Sequence, residues 1–164
     1  MTKINGSMSK KALVITGLNE KLYPLFPLIT NKKTEELMII NNYGAVISQP
    51  YGCTIRNIIM AVFHEDVDEI YIIGEMNNNE NLLKEDEWYS KFQEAGITKK
   101  TIQTIEYIDV IGNDVLKWLG APQDSKMMIQ KNIDLIQRHP LIPKTVSVYG
   151  FIANAETSEF EAVS

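Results

Sequence analysis

The sequence predicts an α/β fold in which a central, mostly parallel sheet is flanked by helices, with a hairpin at the C-terminal end. Residues 12–16, 37–40 and 70–73 form short, nearly unbroken apolar runs, which are typical of strands covered on both faces in a parallel sheet. Between the second and third runs, apolar residues recur at the spacing of one helix face: Ile55, Ile58, Ile59, Val62 and Phe63. The predicted central unit is therefore strand, loop, helix, strand.

A single folded domain is expected at residues 12–164, after a flexible polar tail at residues 1–11. The 164 residues are enough for one domain with a full core, since domains commonly run to about 100–150 residues. Hydrophobic residues make up 45% of the chain and charged residues 23%, which is typical of a folded soluble protein rather than a disordered or membrane-spanning one.

The charge balance and the cysteine count indicate the surroundings of the protein. A net charge of −5, with no basic stripe, argues against general nucleic-acid binding, because like charges repel a phosphate backbone. Cys53 is the single cysteine, so no disulfide within the chain is possible. Because the first residues also lack the apolar run of a signal peptide, we expect a reducing, bacterial-type cytoplasm as the location.

The first half of the chain supplies three predicted strands. The strand at 12–16 ends at Gly17, and residues 22–29 contain Pro24 and Pro27, so they can form at most a short, broken helix. The strands at 37–40 and 70–73 are expected to pair as parallel neighbours through a right-handed crossover. Thr54 is the predicted N-cap of the crossover helix.

The second half is predicted to be mostly helical before the closing hairpin. A helix is expected at 82–95, ended by Gly96, whereas residues 97–111 fit a strand and a helix equally well. Asn113 is the predicted cap of a short helix that runs to residue 119, and a longer helix at 124–139 ends at Pro140. A strand at 145–152 and a hairpin partner at 160–163 complete the sheet.

Any ligand site is expected at the carboxyl ends of the strands, where open α/β sheets bind their ligands. In this sequence those ends are rich in side-chain amides. They comprise residues 17–21, residues 41–44 and residues 74–78.

The order of these strand loops, together with the ending RHPLIPKTVSVYGFIANAETSEFEAV, resembles the β-class carbonic anhydrases. The resemblance extends over residues 12–163. In that family the three loops read Cys-x-Asp-x-Arg, Arg-Asn-Ala-Gly and His-x-x-Cys. The two cysteines and the histidine hold zinc, and the Asp-Arg pair governs access to its fourth ligand position. The resemblance also implies a homodimer or larger homo-oligomer.

The present sequence keeps the spacing of these loops but none of the zinc ligands. Gly17 stands at the first cysteine, Glu75 at the histidine and Asn78 at the second cysteine. Asn19 replaces the aspartate and Lys21 the arginine, whereas the second loop keeps the asparagine and glycine of the family as Asn42 and Gly44.

The lost ligands change the chemistry that the resemblance implies. Catalytic zinc takes three thiolate, imidazole or carboxylate ligands, and of the three positions only Glu75 still offers one, so no metal or other cofactor is expected. Without zinc to activate water, CO2 hydration should be absent. Cys53 could be a substitute donor, but the usual burial of a free cysteine favours a small core residue. Neither His64 nor His139 lies in a ligand motif.

Three functional hypotheses remain open. The first is a carbonic-anhydrase-like pseudoenzyme that acts as an anion-binding or protein-interaction module, with Lys21, Asn19 and Asn42 binding a small anion such as bicarbonate. The second is an enzyme with altered, non-zinc chemistry, in which Glu75 is a base or an oxygen ligand for a cation. The third is a small-molecule-binding α/β domain whose resemblance to the family is only architectural.

Overall fold

The computed structural model describes residues 10–45, 47, 49–76, 83–119 and 124–163. Its centre is a sheet of five strands in the order β2-β1-β3-β4-β5, in which β1 to β4 are parallel and β5 runs antiparallel to β4. The predicted class, a mostly parallel α/β sheet with a C-terminal hairpin, is confirmed. The strands are β1 (Ala12–Thr16), β2 (Leu37–Asn41), β3 (Glu69–Glu75), β4 (Ser147–Ala153) and β5 (Phe160–Val163).

The prediction that the second and third strands pair with each other is wrong. Strand β1 lies between them and pairs in parallel with both. Every residue of β1 is buried, whereas β2 is only partly buried along its length. The most completely buried strand thus takes an inner position, and β2 takes the edge.

Six helices are described, after a 3₁₀ segment at Glu20–Leu25 that supplies the expected broken helix. The helices are α1 (Phe26–Thr30), α2 (Cys53–His64), α3 (Glu85–Glu94), α4 (Lys99–Ile108), α5 (Val115–Trp118) and α6 (Ser125–Arg138). None of the helices in the described ranges is both long and apolar enough to span a bilayer.

Two predicted features of α2 are wrong. Gly52 is the N-cap, and Thr54 lies inside the first turn, because the helix begins at Cys53 rather than at the first residue of the apolar stripe. Phe63, expected on the buried face, is 61% exposed. Val62 is the last buried residue of α2.

The helices of the second half differ from the sequence prediction in detail. The ambiguous stretch at 97–111 contains α4, which is capped by the Thr98 hydroxyl accepting from the Thr101 amide. Asp114, not Asn113, caps α5 by accepting from the Lys117 amide. The predicted long helix is confirmed as α6, while residue 82, at the start of the helix expected at 82–95, lies outside the described ranges.

Two apolar cores cover the two faces of the sheet. Helices α2 and α6 pack on one face, and the 3₁₀ segment with α1 packs on the other. Helix α6 approaches β3 and β4 closely because both strands have a glycine beneath it. A methyl group on Gly150 would lie 2.5 Å from Ile129 Cγ2 and 2.7 Å from Ile133 Cδ1.

Only two residues of the predicted tail at 1–11 fall in the described ranges. Lys10 forms an ion pair with Asp68 at 2.9 Å, and Lys11 forms one with Glu65 at 3.5 Å. Both pairs are exposed, so each contributes little to folding.

Candidate functional site

The candidate site lies at the carboxyl ends of β1 and β3. The chain passes from β1 to β2 on one side and then crosses to β3 on the other side of β1, so the loops leaving β1 and β3 diverge. A crevice at such a switch point is where open α/β sheets bind ligands. Gly17 and Asn19 follow β1, and Glu75 is the last residue of β3.

Asn19 and Glu75 join these two strand ends directly. The side-chain amide of Asn19 donates from Nδ2 to Glu75 Oε1 at 2.7 Å. Its Oδ1 accepts from the backbone amide of Lys21 at 3.1 Å, which caps the 3₁₀ segment. Because the carbonyl oxygen of the amide is held by the backbone, the NH2 group must face Glu75.

Asn41 forms a second link, between β1 and β2. Its Nδ2 donates to the backbone oxygen of Gly17 at 2.8 Å and to the Tyr23 hydroxyl at 2.9 Å. Sequence reasoning did not find this contact. The signal available was the pair of amides, Asn41 and Asn42, at one strand end.

Asn42 links β2 to the first turn of α2. The hydroxyl of Thr54 donates to Asn42 Oδ1 at 3.2 Å, and the backbone amide of Asn42 donates to Thr16 O at 2.8 Å. After Asn42 the chain turns through Gly44 and Ala45, whose φ angles of 72° and 57° lie in the left-handed region. Together with the two links above, side-chain amides thus connect β3, β1, β2 and α2.

Helix α6 holds the loop between β2 and α2 at two points that sequence reasoning did not find. Asn132, only 5% exposed, donates from Nδ2 to Ala45 O at 3.0 Å and accepts from the Ile47 amide at 3.4 Å. His139 is hydrogen-bonded through Nε2 to Pro50 O at 2.8 Å. An asparagine within the apolar face of α6 was the available signal, because a buried amide needs partners.

The remaining residues that the sequence predicts for this site are Lys21, Asn78 and Gly17. Lys21 is exposed, and Asn78 lies outside the described ranges. A side chain at Gly17 would meet nothing closer than 3.9 Å, so the position has room for a larger residue. Tyr43 is 80% exposed and does not fill the crevice.

The described residues do not fit a zinc ion. Gly17 has no donor side chain, and Asn19 turns its NH2 group, a hydrogen-bond donor, toward the single carboxylate of Glu75. Catalytic zinc needs three electron-rich protein ligands. In the part of the chain that is described, no group of three or more His, Cys, Asp or Glu side chains could hold a metal ion.

The expectation that Cys53 is buried is wrong, since its side chain is exposed. Cys53 precedes Ile55 by two residues, which places it about 200° around the helix axis from the apolar stripe. His64 is exposed as well. His139 is buried and bonded to the backbone, in keeping with the structural role expected from its place at a helix end.

No protein-family model matches the chain. The fold is similar to the crystal structure of beta-carbonic anhydrase isoform I from Trichomonas vaginalis, with a TM-score of 0.76 and 19% identity over 99% of this chain and 87% of that one. The sequence is 32% identical over 157 residues to "Putative carbonic anhydrase-like protein YbcF" of Bacillus subtilis (strain 168), covering 92% of this chain and 85% of the relative. The chain belongs to the β-carbonic anhydrase family.

Within the β-carbonic anhydrase family the chain is a divergent member that lacks the zinc ligands. The fold is also similar to that of two tetrameric beta-carbonic anhydrases from Sordaria macrospora. That match has a TM-score of 0.58 and 14% identity, over 97% of this chain and 83% of that one. At such identities the likeness of the solved structures concerns the fold alone.

Proposed function

We propose that this protein is a β-carbonic anhydrase homologue that does not hydrate CO2 and acts by binding rather than by catalysis. The observation that supports the proposal most directly is the hydrogen bond of 2.7 Å between the Asn19 amide and the Glu75 carboxylate. In the family pattern, position 19 is the aspartate that governs access to the metal, and position 75 is a zinc ligand. In this chain they bond to each other instead.

The size of the effect that zinc has on bound water supports the proposed loss of catalysis. Bound zinc lowers the pKa of water from 15.7 to about 7, so without it hydroxide at neutral pH is scarcer by roughly eight to nine orders of magnitude. Glu75 could at most be a general base, and such a base contributes about 10²- to 10⁴-fold. General-base catalysis by Glu75 therefore falls short of replacing the metal in CO2 hydration.

The proposed ligand is a small anion such as bicarbonate. Lys21 supplies the positive charge, and Asn19 and Asn42, which follow β1 and β2, supply side-chain amides. Charge attraction followed by amide hydrogen bonds is a common way to bind a carboxylate-like anion. The other version of the proposed binding role is that the protein binds a protein partner instead of a small anion.

The proposal includes a homodimer or larger homo-oligomer in a reducing, cytoplasmic compartment. The tetrameric Sordaria macrospora enzymes of the same fold support the oligomer. The single cysteine supports the compartment. Fractionation of cells that produce the protein would contradict the location if the protein were recovered outside the cytoplasm.

Elemental analysis of the purified protein together with a stopped-flow CO2-hydration assay tests the proposal. We expect far less than one zinc per chain and a hydration rate equal to that of buffer, before and after addition of zinc. Stoichiometric zinc accompanied by turnover would refute the proposal.

A reconstructed ligand set provides the matching control. The triple variant Gly17→Cys, Glu75→His and Asn78→Cys should gain zinc, because the first position has room for a larger side chain. The variant Cys53→Ser should leave the metal content unchanged, since Cys53 is not one of those positions. If the triple variant binds no zinc, the assignment of these residues to the ligand positions is wrong.

A further inference from the structure

Glu75 already occupies the donor that the proposed anion would need. The NH2 group of Asn19 is directed at Glu75 because the carbonyl oxygen of the amide is held by the backbone amide of Lys21. At 2.7 Å the contact is as short as a charge-assisted hydrogen bond. A free anion would have to displace the carboxylate from Asn19 before it could use that donor.

The charges of the crevice lead to the same conclusion. Among the described residues at the ends of β1, β2 and β3, Glu20 and Glu75 carry negative charges and Lys21 a positive one, while the asparagines are neutral. Glu75 is partly buried and Lys21 is exposed. The partly buried charge is screened less by water, so repulsion by Glu75 outweighs attraction by Lys21.

We propose that Glu75 acts as an internal anion, which occupies the Asn19 amide and thereby competes with small free anions for the crevice. The charge at position 75 then determines how tightly the site binds carboxylate-like ligands such as bicarbonate and formate. Binding requires that the carboxylate be neutralised or drawn away from Asn19. The inference rests on the proposed anion-binding function and specifies how that binding is controlled.

The variant Glu75→Gln tests the inference, because glutamine keeps an oxygen that can accept from Asn19 and removes only the charge. Bicarbonate and formate would be titrated separately into wild-type and variant protein, with binding followed by amide NMR shifts. We expect the variant to bind both anions roughly tenfold or more tightly, since one unit charge within a few ångströms contributes on that scale at an effective dielectric constant near 20. Equal dissociation constants for the two proteins would overturn the inference.

Three further variants separate charge from structure. Glu75→Asp keeps the charge on a shorter side chain and should bind anions as weakly as the wild type. Glu94→Gln makes the same charge change at an exposed site on α3 and should have no effect. Adding Lys21→Ala to Glu75→Gln should remove most of the gained affinity. Tighter binding by Glu94→Gln of the same size as by Glu75→Gln would overturn the inference, since net charge alone would then explain it.

The outcomes also distinguish this inference from the proposed function. Tight anion binding by the wild type, unchanged in Glu75→Gln, would leave an anion-binding role intact and refute the competition by Glu75. Failure of both proteins to bind either anion would refute the anion ligand and the inference together. Neither result bears on the absence of CO2 hydration, which the metal and turnover measurements address.

Discussion

At the scale of single residues, the phenol of Tyr71 has an environment that favours its neutral form. Tyr71 lies on β3, and its hydroxyl donates to Glu69 Oε2 at 3.4 Å. Burial first, and then the nearby Glu69 carboxylate, raise the pKa of Tyr71 to about 12 from its ordinary value of 10.0. The folded protein therefore retains this proton at a pH at which the unfolded chain releases it.

The free energy of unfolding should consequently fall as the pH rises from about 10 toward 12. Because the pKa of this acid is higher in the folded state, the full contribution is present below the unfolded value and is lost as pH increases through the folded value. The variant Tyr71→Phe, measured by urea unfolding between pH 8 and about pH 11.5, should lose less stability over this window than the wild type. Tyr107→Phe, at a 91% exposed site, should follow the wild-type curve. Parallel curves of unfolding free energy against pH for the wild type and Tyr71→Phe would contradict the raised pKa of Tyr71.

Much of the site chemistry was predictable residue by residue, but the contacts were not. The missing zinc ligands at Gly17, Glu75 and Asn78 follow from the resemblance of the strand loops to the motifs of the family. That Asn19 donates to Glu75 depends on the orientation of one amide, which is set by a backbone group two residues further along the chain. Sequence patterns contain no information on such orientations.

At the scale of secondary-structure elements, the glycines beneath α6 determine how closely the helix packs on the sheet. Ile129 lies over Gly74 and Gly150, and Ile133 lies over Gly150. A methyl group on Gly150 would overlap branched, buried side chains, and neither strand can move away without breaking the parallel pairing of β3 with β4. Dense packing at this contact leaves no space for an added carbon.

The variant Gly150→Ala should lower the free energy of unfolding by about 1–3 kcal/mol, the usual cost of overpacking a filled core. Gly17→Ala is the matched control, because its methyl group would meet nothing closer than 3.9 Å. That variant should be neutral or slightly stabilising, since alanine reduces the freedom of the unfolded chain. Urea midpoints measure both. Equal urea midpoints for Gly150→Ala and the wild type would contradict this prediction, because they would show that α6 can shift with no loss of stability.

Individual elements were predicted better than their arrangement. Strand β1 has the predicted bounds because four of its five residues are apolar, and α6 was evident from its stripe and from Pro140. The insertion of β1 between β2 and β3 could not be predicted, since strand order depends on contacts between distant parts of the chain. The exposure of Phe63 could not be predicted either, because the apolar stripe does not show where the buried face of α2 ends.

At the scale of the whole molecule, one face of the C-terminal hairpin remains partly uncovered. Tyr149, Phe151 and Phe160, which we name the hairpin strip, lie on the face opposite α6, where Phe151 packs against the core that includes α1. Tyr149 is 42% exposed and Phe160 39% exposed. The rings of Phe151 and Phe160 meet edge to face at 6.3 Å. Aromatic side chains of this kind are enriched where subunits meet.

The proposed homo-oligomer should therefore form through the hairpin strip. Light scattering coupled to size exclusion is expected to give the wild type at least twice the chain mass of 18.6 kDa. Phe160→Glu should shift the protein toward the monomer by introducing a charge into the contact. Tyr107→Glu, which changes a more exposed aromatic residue on α4, should keep the wild-type mass. A monomeric wild type, or dissociation caused by Tyr107→Glu alone, would contradict this interface.

The amide links at the strand ends have one more consequence. A protein whose crevice is assembled around an ion must obtain that ion from the cell before the region is complete. Here Asn19, Asn41 and Thr54 supply the connections from the polypeptide itself. On the proposed function, we therefore expect this region to fold to completion during synthesis without waiting for a supply of zinc.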